Sequence, residues 1–86
     1  MTIDFHKSFH EQASILKPAQ KKRLKHALLL FADEPYNANL YNHPLSGEWK
    51  GFRSISFGGD WRAHYTAIDK DSVLFVAVDT HSQLYK

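Results

Sequence analysis

The run Asp79-Thr80-His81-Ser82-Gln83-Leu84-Tyr85-Lys86 puts a histidine and a tyrosine four residues apart, directly after the apolar run Val73 to Val78. One helical turn would bring both side chains to one face. Chain ends fray unless they are tied down, so chemically capable side chains here predict a tail held against the fold. A second polar set is spaced by twos. Asp60, Arg62 and His64 alternate with Trp61, Ala63 and Tyr65, and Ser54 and Ser56 precede them across Gly58-Gly59. If the two runs pair as a hairpin, the polar side chains share one sheet face and Arg53 lies one position out of phase. His43 sits in the loop ahead of that sheet.

These residue types suit metal-free cleavage of RNA through its own 2′-hydroxyl. The reaction needs a base for the hydroxyl proton, an acid for the leaving 5′-oxygen, and cations for the crowded phosphate of the transition state. His81 is the candidate acid, because histidine titrates near neutral pH. Asp60 or His43 is the candidate base. Arg62 and Arg53 offer fixed cations for phosphate oxygens, and Tyr85 a ring to stack on a base or orient the phosphate. Plainer roles exist for each: Arg62 as a cross-strand ion-pair residue beside Asp60, His64 as an exposed strand position, Trp61 as core. His6, His10 and His26 read as solvated. The pair His6/His10 lacks a third local ligand, so neither a metal nor another cofactor is expected.

The elements that must position these groups follow from periodicity. Ile3 and Phe5 alternate in a short first strand. Phe9, Ala13 and Leu16 form an apolar stripe of a helix that stops before Pro18, which suits the first turn of a second helix. In that helix Leu24, Ala27, Leu28 and Phe31 recur at buried-face spacing over about four turns, ending at Asp33-Glu34-Pro35. Residues 36–51 carry turn signals at His43-Pro44 and Ser46-Gly47 and predict a long irregular connection. Strands follow at 52–57 and 60–67, joined by Gly58-Gly59. A third, Val73 to Val78, is apolar on both faces and is expected at the centre of the sheet. Helices first and hairpins afterwards predict an α+β domain: two N-terminal helices on one face of a small antiparallel sheet of about four strands, the other face left for function.

Composition sets the outer limits. The 86 residues leave room for one domain, 1–86, with one core. No run reaches the roughly 18 apolar residues of a membrane span, and the first residues lack a signal-peptide layout, so a cytoplasmic protein without membrane association is expected. There is no cysteine, which removes disulfides, thiolate catalysis and thiolate metal sites. Formal net charge is only +2, yet Lys17, Lys21, Lys22, Arg23 and Lys25 stand together with no acid among them. Such a cluster attracts RNA or an acidic protein, or is simply a solvated helix face. Lys21, Lys22, Lys25, Lys50 and Arg53 are the candidate RNA contacts.

Four segments, His43-Pro44-Leu45-Ser46-Gly47, Trp49-Lys50-Gly51-Phe52-Arg53-Ser54-Ile55, Gly59-Asp60-Trp61-Arg62 and Thr80-His81-Ser82-Gln83-Leu84-Tyr85, resemble in order and spacing the RelE/ParE superfamily of bacterial toxins. The nearest resemblance is to the YafQ-like branch, over nearly the whole chain. It implies a toxin of a type II toxin–antitoxin pair that cleaves mRNA on the ribosome without metal and is neutralised by a small antitoxin encoded beside it. The matching site positions are His43, Asp60, His81 and Tyr85, with Trp61 adjacent and Arg62 similar to an arginine of RelE-type relatives. Ser56 stands where the branch often has a further catalytic histidine, Ala77 where a basic residue often precedes the tail, Asp79 in place of a common glycine, and Tyr85 in place of a frequent phenylalanine. Two rival readings follow. One is a ParE-like toxin directed at gyrase, against which the acid-base set argues. The other is a degenerate module that only holds an antitoxin, suggested by Ser56 and Ala77.

Overall fold

His6 ends the first strand and begins the first helix, because its Nδ1 accepts from the backbone N–H of Ser8 at 3.1 Å and so satisfies one free donor of the first turn. The computed structural model describes residues 1–85. It runs β1 (Thr2–Phe5), α1 (Lys7–Ser14), α2 (Pro18–Asp33), β2 (His43–Pro44), β3 (Arg53–Ser56), β4 (Trp61–Asp69), β5 (Ser72–Thr80) and α3 (His81–Leu84), with 3₁₀ turns at Ala38–Leu40 and Gly47–Trp49. Pro18 occupies the first turn of α2, where its missing N–H costs nothing. Leu24, Ala27 and Phe31 are buried, whereas Lys21, Lys22 and Lys25 stay exposed.

The sheet has five strands in the order β1-β5-β4-β3-β2. This corrects the expected antiparallel sheet of about four strands, since β1 runs parallel to β5. A parallel neighbour requires a crossover, and α1 and α2 lie in the connection between the two strands. The fifth strand, β2, is only two residues long and pairs at the edge with β3, His43 opposite Ser54. Two residues carry no periodicity, so the sequence shows only the loop around them. The middle strand is β4, not β5. β5 lies beside it, paired with β1 on one side and β4 on the other.

Tyr65 and Phe75 face the helices and close the core. Phe75 is fully buried, with the rings of Phe5, Phe9, Phe31 and Tyr65 between 5.1 and 5.9 Å away. Such pairs add about 0.5–1.5 kcal/mol each beyond the area they bury. A bulge in β5 leaves Val76 unpaired between the pairs His64–Ala77 and Tyr65–Phe75. The Ser8 hydroxyl donates to the Val76 carbonyl at 2.6 Å and ties α1 to β5. With Tyr65 turned to the helices, alternation sends His64 to the opposite face.

Candidate active site beneath the C-terminal tail

The polar face of the hairpin forms as its spacing predicts, with Ser54 opposite His64 and Ser56 opposite Arg62. Gly58 and Gly59 both take positive φ, at 123° and 53°, which lets the chain reverse directly into β4. Arg62 is held at the strand entrance, where Nη1 donates to Ser56 Oγ at 3.2 Å and to the carbonyls of Gly59 and Trp61 at 2.9 Å each. Among the described residues these bonds use Nη1 alone and leave Nε and Nη2 without a hydrogen-bond partner. Ser56, the position that lacks the branch's histidine, thus serves Arg62.

The tail is anchored as the sequence suggests. Thr80 Oγ1 accepts from Gln83 N at 3.3 Å and caps α3. The Asp60 carbonyl accepts from His81 N at 2.7 Å, and its Oδ2 accepts from Ser82 N at 3.5 Å and Ser82 Oγ at 3.3 Å. Trp49 Nε1 donates to the Leu84 carbonyl at 3.2 Å, joining the 3₁₀ turn to the tail. His81 and Tyr85 lie against each other with ring centroids 4.5 Å apart, on one face of the turn. Burial pushes the Tyr85 phenol above its ordinary range, only partly offset by Arg62, so the hydroxyl keeps its proton at neutral pH. His43 Nδ1 lies 2.7 Å from the Tyr41 carbonyl. As an N–H donor there, it leaves Nε2 as the free acceptor.

His64 is not the exposed strand residue its polar spacing suggests. It is 0% exposed, set edge-on between Trp49, whose centroid is 4.5 Å away, and Tyr85 at 5.7 Å. Burial, then the charges of His43, His81 and Arg62, lower its pKa to about 4. The imidazole is therefore neutral at physiological pH. Strand register sets His43 opposite Ser54, which lies opposite His64, Arg62 stands two residues before His64 on the same face, and His81 packs on Tyr85, which packs on the imidazole. Alternation marked His64 as polar-facing but gave no sign of its cover, because Trp49 and Tyr85 come from other segments.

Other candidates fall elsewhere. Arg53 turns to the helix side, where Nε donates to Asn42 Oδ1 at 2.8 Å and the guanidinium lies 5.4 Å from the Tyr36 ring centroid. It is not brought to the face that carries His64, because its strand phase opposes that of Ser54. Lys21 and Lys25 flank an apolar groove with Phe5, Leu24 and Leu28 in the helix layer, and Lys22 is exposed on α2. They too lie apart from His43, His64 and His81, on the helix layer. Lys50 is exposed directly after the 3₁₀ turn that carries Trp49. Among the described residues no three His, Asp or Glu side chains are gathered so as to hold a metal ion. No helix is long and apolar enough to cross a membrane.

A two-helix layer over a five-stranded sheet, with a histidine-bearing tail folded on the free face, defines a toxin of the RelE/ParE superfamily. The same fold is found in the YoeB/ParE toxin from Agrobacterium tumefaciens, at a TM-score of 0.77 and 14% identity over 94% of this chain and 99% of that one. The chain belongs to the YafQ family: the profile described as "Bacterial toxin of type II toxin-antitoxin system, YafQ" matches residues 1–86. It is 34% identical to the mRNA interferase toxin YafQ of Escherichia coli strain K12 over 77 residues, 81% of this chain and 83% of that protein. It is also similar to a chain of the E. coli DinJ–YafQ toxin–antitoxin complex, with a TM-score of 0.75 and 26% identity over 98% of this chain and 96% of that one.

Proposed function

We propose that this protein is an mRNA endonuclease, acting on messages at the ribosome and neutralised by a cognate antitoxin. The observation that carries the reading is the placement of His43, Arg62 and His81 about one buried imidazole, by strand register and ring contacts, on the face left free by the helices. His43 Nε2 is the base that removes the 2′-hydroxyl proton, and His81 protonates the leaving 5′-oxygen. Arg62 stabilises the charge that builds on the phosphate. Asp60 already binds the first turn of the tail through its carboxylate, which supports a role in positioning His81 over a role as base. Tyr85 borders a cavity of about 400 Å³ with Trp49 and Leu84, where a nucleobase has a ring to stack on. Exposed Lys50, beside Trp49 in sequence, and Lys21, Lys22 and Lys25 on α2, contact ribosomal RNA phosphates.

The test is induction of the wild type and of His81→Ala in bacteria, with transcript 5′ ends mapped. Growth arrest with new ends inside translated messages is expected for the wild type. The variant is expected to lose both, with cleavage slowed by roughly 10²–10⁴-fold. Equal arrest by the two proteins, or arrest without cleavage, would overturn the assignment and turn attention to gyrase. Co-expression of the antitoxin is expected to restore growth.

A further inference from the structure

His64 carries two ring nitrogens, Nδ1 and Nε2, that are buried without a hydrogen-bond partner among the described residues. Its cross-strand neighbour Ser54 is 1% exposed, and its Oγ is also buried without a partner there. Unpaired buried polar groups are costly, and a phenylalanine would fill the slot between Trp49 and Tyr85 without that cost. The pair is placed in one cross-strand row, His43–Ser54–His64–Ala77, that spans β2 to β5. Ser54 and Ala77 are both small, so the imidazole is the one large side chain between His43 and the far side of the sheet. Its cover is slight. Trp49 belongs to the 3₁₀ turn, and Tyr85 follows the one-turn helix α3, is 41% exposed and borders the cavity beside it.

We propose that His64 is a further catalytic residue of this site: with RNA bound, Tyr85 turns off the imidazole to stack on the nucleobase in the neighbouring cavity, one ring N–H donates to a non-bridging oxygen of the scissile phosphate, and the other ring nitrogen accepts from the Ser54 hydroxyl. The Ser54 bond fixes which nitrogen carries the proton. A neutral donor suits this place because it binds the growing phosphate charge without adding a positive charge between His43 and His81, which both exchange protons. It also offsets the histidine absent at Ser56. The inference rests on the RNA-cleavage reading.

The experiment measures single-turnover cleavage of a defined message in a reconstituted translation reaction, for wild type, His64→Phe, His64→Gln and Ser54→Ala, alongside thermal unfolding. His64→Phe is expected to fold with an equal or higher Tm and to cleave roughly 10²-fold more slowly, the loss typical of one transition-state donor. The ribosome concentration for half-maximal rate should not move. His64→Gln, which retains an N–H donor, should recover part of the rate, and Ser54→Ala should lose several-fold. A His64→Phe protein that cleaves within about two-fold of wild type overturns the proposal. Should His64→Phe not fold, wild-type rates in both His64→Gln and Ser54→Ala overturn it equally. Cleavage by the wild type separates the two readings, because a wild type that leaves every message intact overturns the RNA-cleavage reading together with this one.

Discussion

At the scale of single residues, Asp60 shows how the same side chain reads differently once its partners are visible. By spacing it stands as a candidate base. In the fold its carbonyl receives His81 N at 2.7 Å and its carboxylate receives the N–H and hydroxyl of Ser82. If Asp60 positions the tail, Asp60→Asn keeps an acceptor oxygen for Ser82 and should retain most activity, whereas Asp60→Ala should lose roughly ten-fold or more by misplacing His81. If Asp60 were the base, both variants would fail alike, so comparing their single-turnover rates decides. The relation of His81 to Tyr85 was legible, because four-residue spacing on a helical turn needs no tertiary information. His64 was not. Alternation says which face a strand residue takes, and burial on that face depends on Trp49 and Tyr85, which arrive from distant segments.

At the scale of elements, the site depends on a helix of one turn, too short to persist by its own hydrogen bonds. α3 is held from outside, by Thr80 at its start, Asp60 across its first turn and the Trp49 indole N–H on the Leu84 carbonyl. Trp49→Phe keeps a ring against His64 and removes only that donor. The expected loss is about 1 kcal/mol of local stability. Hydrogen exchange of the amides of residues 81–85 should quicken, cleavage should slow several-fold, and global unfolding should barely shift, because this contact lies outside the aromatic core. Unchanged exchange in the tail would show that the indole does not anchor it. The second edge device, β2, was invisible to pattern reading for the reason that makes it useful. Two residues suffice to set His43 opposite Ser54, and two residues have no period.

At the scale of the whole molecule, the α+β layering was readable because amphipathic spacing fixes which face of each helix and of β4 meets the core. The parallel join of β1 to β5 was not, since pairing between strands at opposite ends of a chain leaves no local signal. That same layering places His64 under cover, and this makes stability depend on pH. Its pKa is about 4 in the fold against a usual 6.5, set first by burial and then by His43 of β2, His81 of α3 and Arg62 of β4. The unfolded chain therefore binds the proton more readily than the folded one between those values, so stability is complete above about pH 6.5 and falls as pH drops towards 4. Integrated over that window, the loss attributable to His64 is about 3 kcal/mol, with about 2 kcal/mol of it gone by pH 5. Carboxylates titrate in the lower part of the same range, so the informative quantity is the difference between wild type and His64→Phe in urea unfolding at pH 7.5 and pH 5. The variant should gain on the wild type by about 2 kcal/mol on acidification. Parallel pH curves for the two proteins would mean that His64 takes up its proton in the folded state without cost, and that the cover of Trp49 and Tyr85 opens freely.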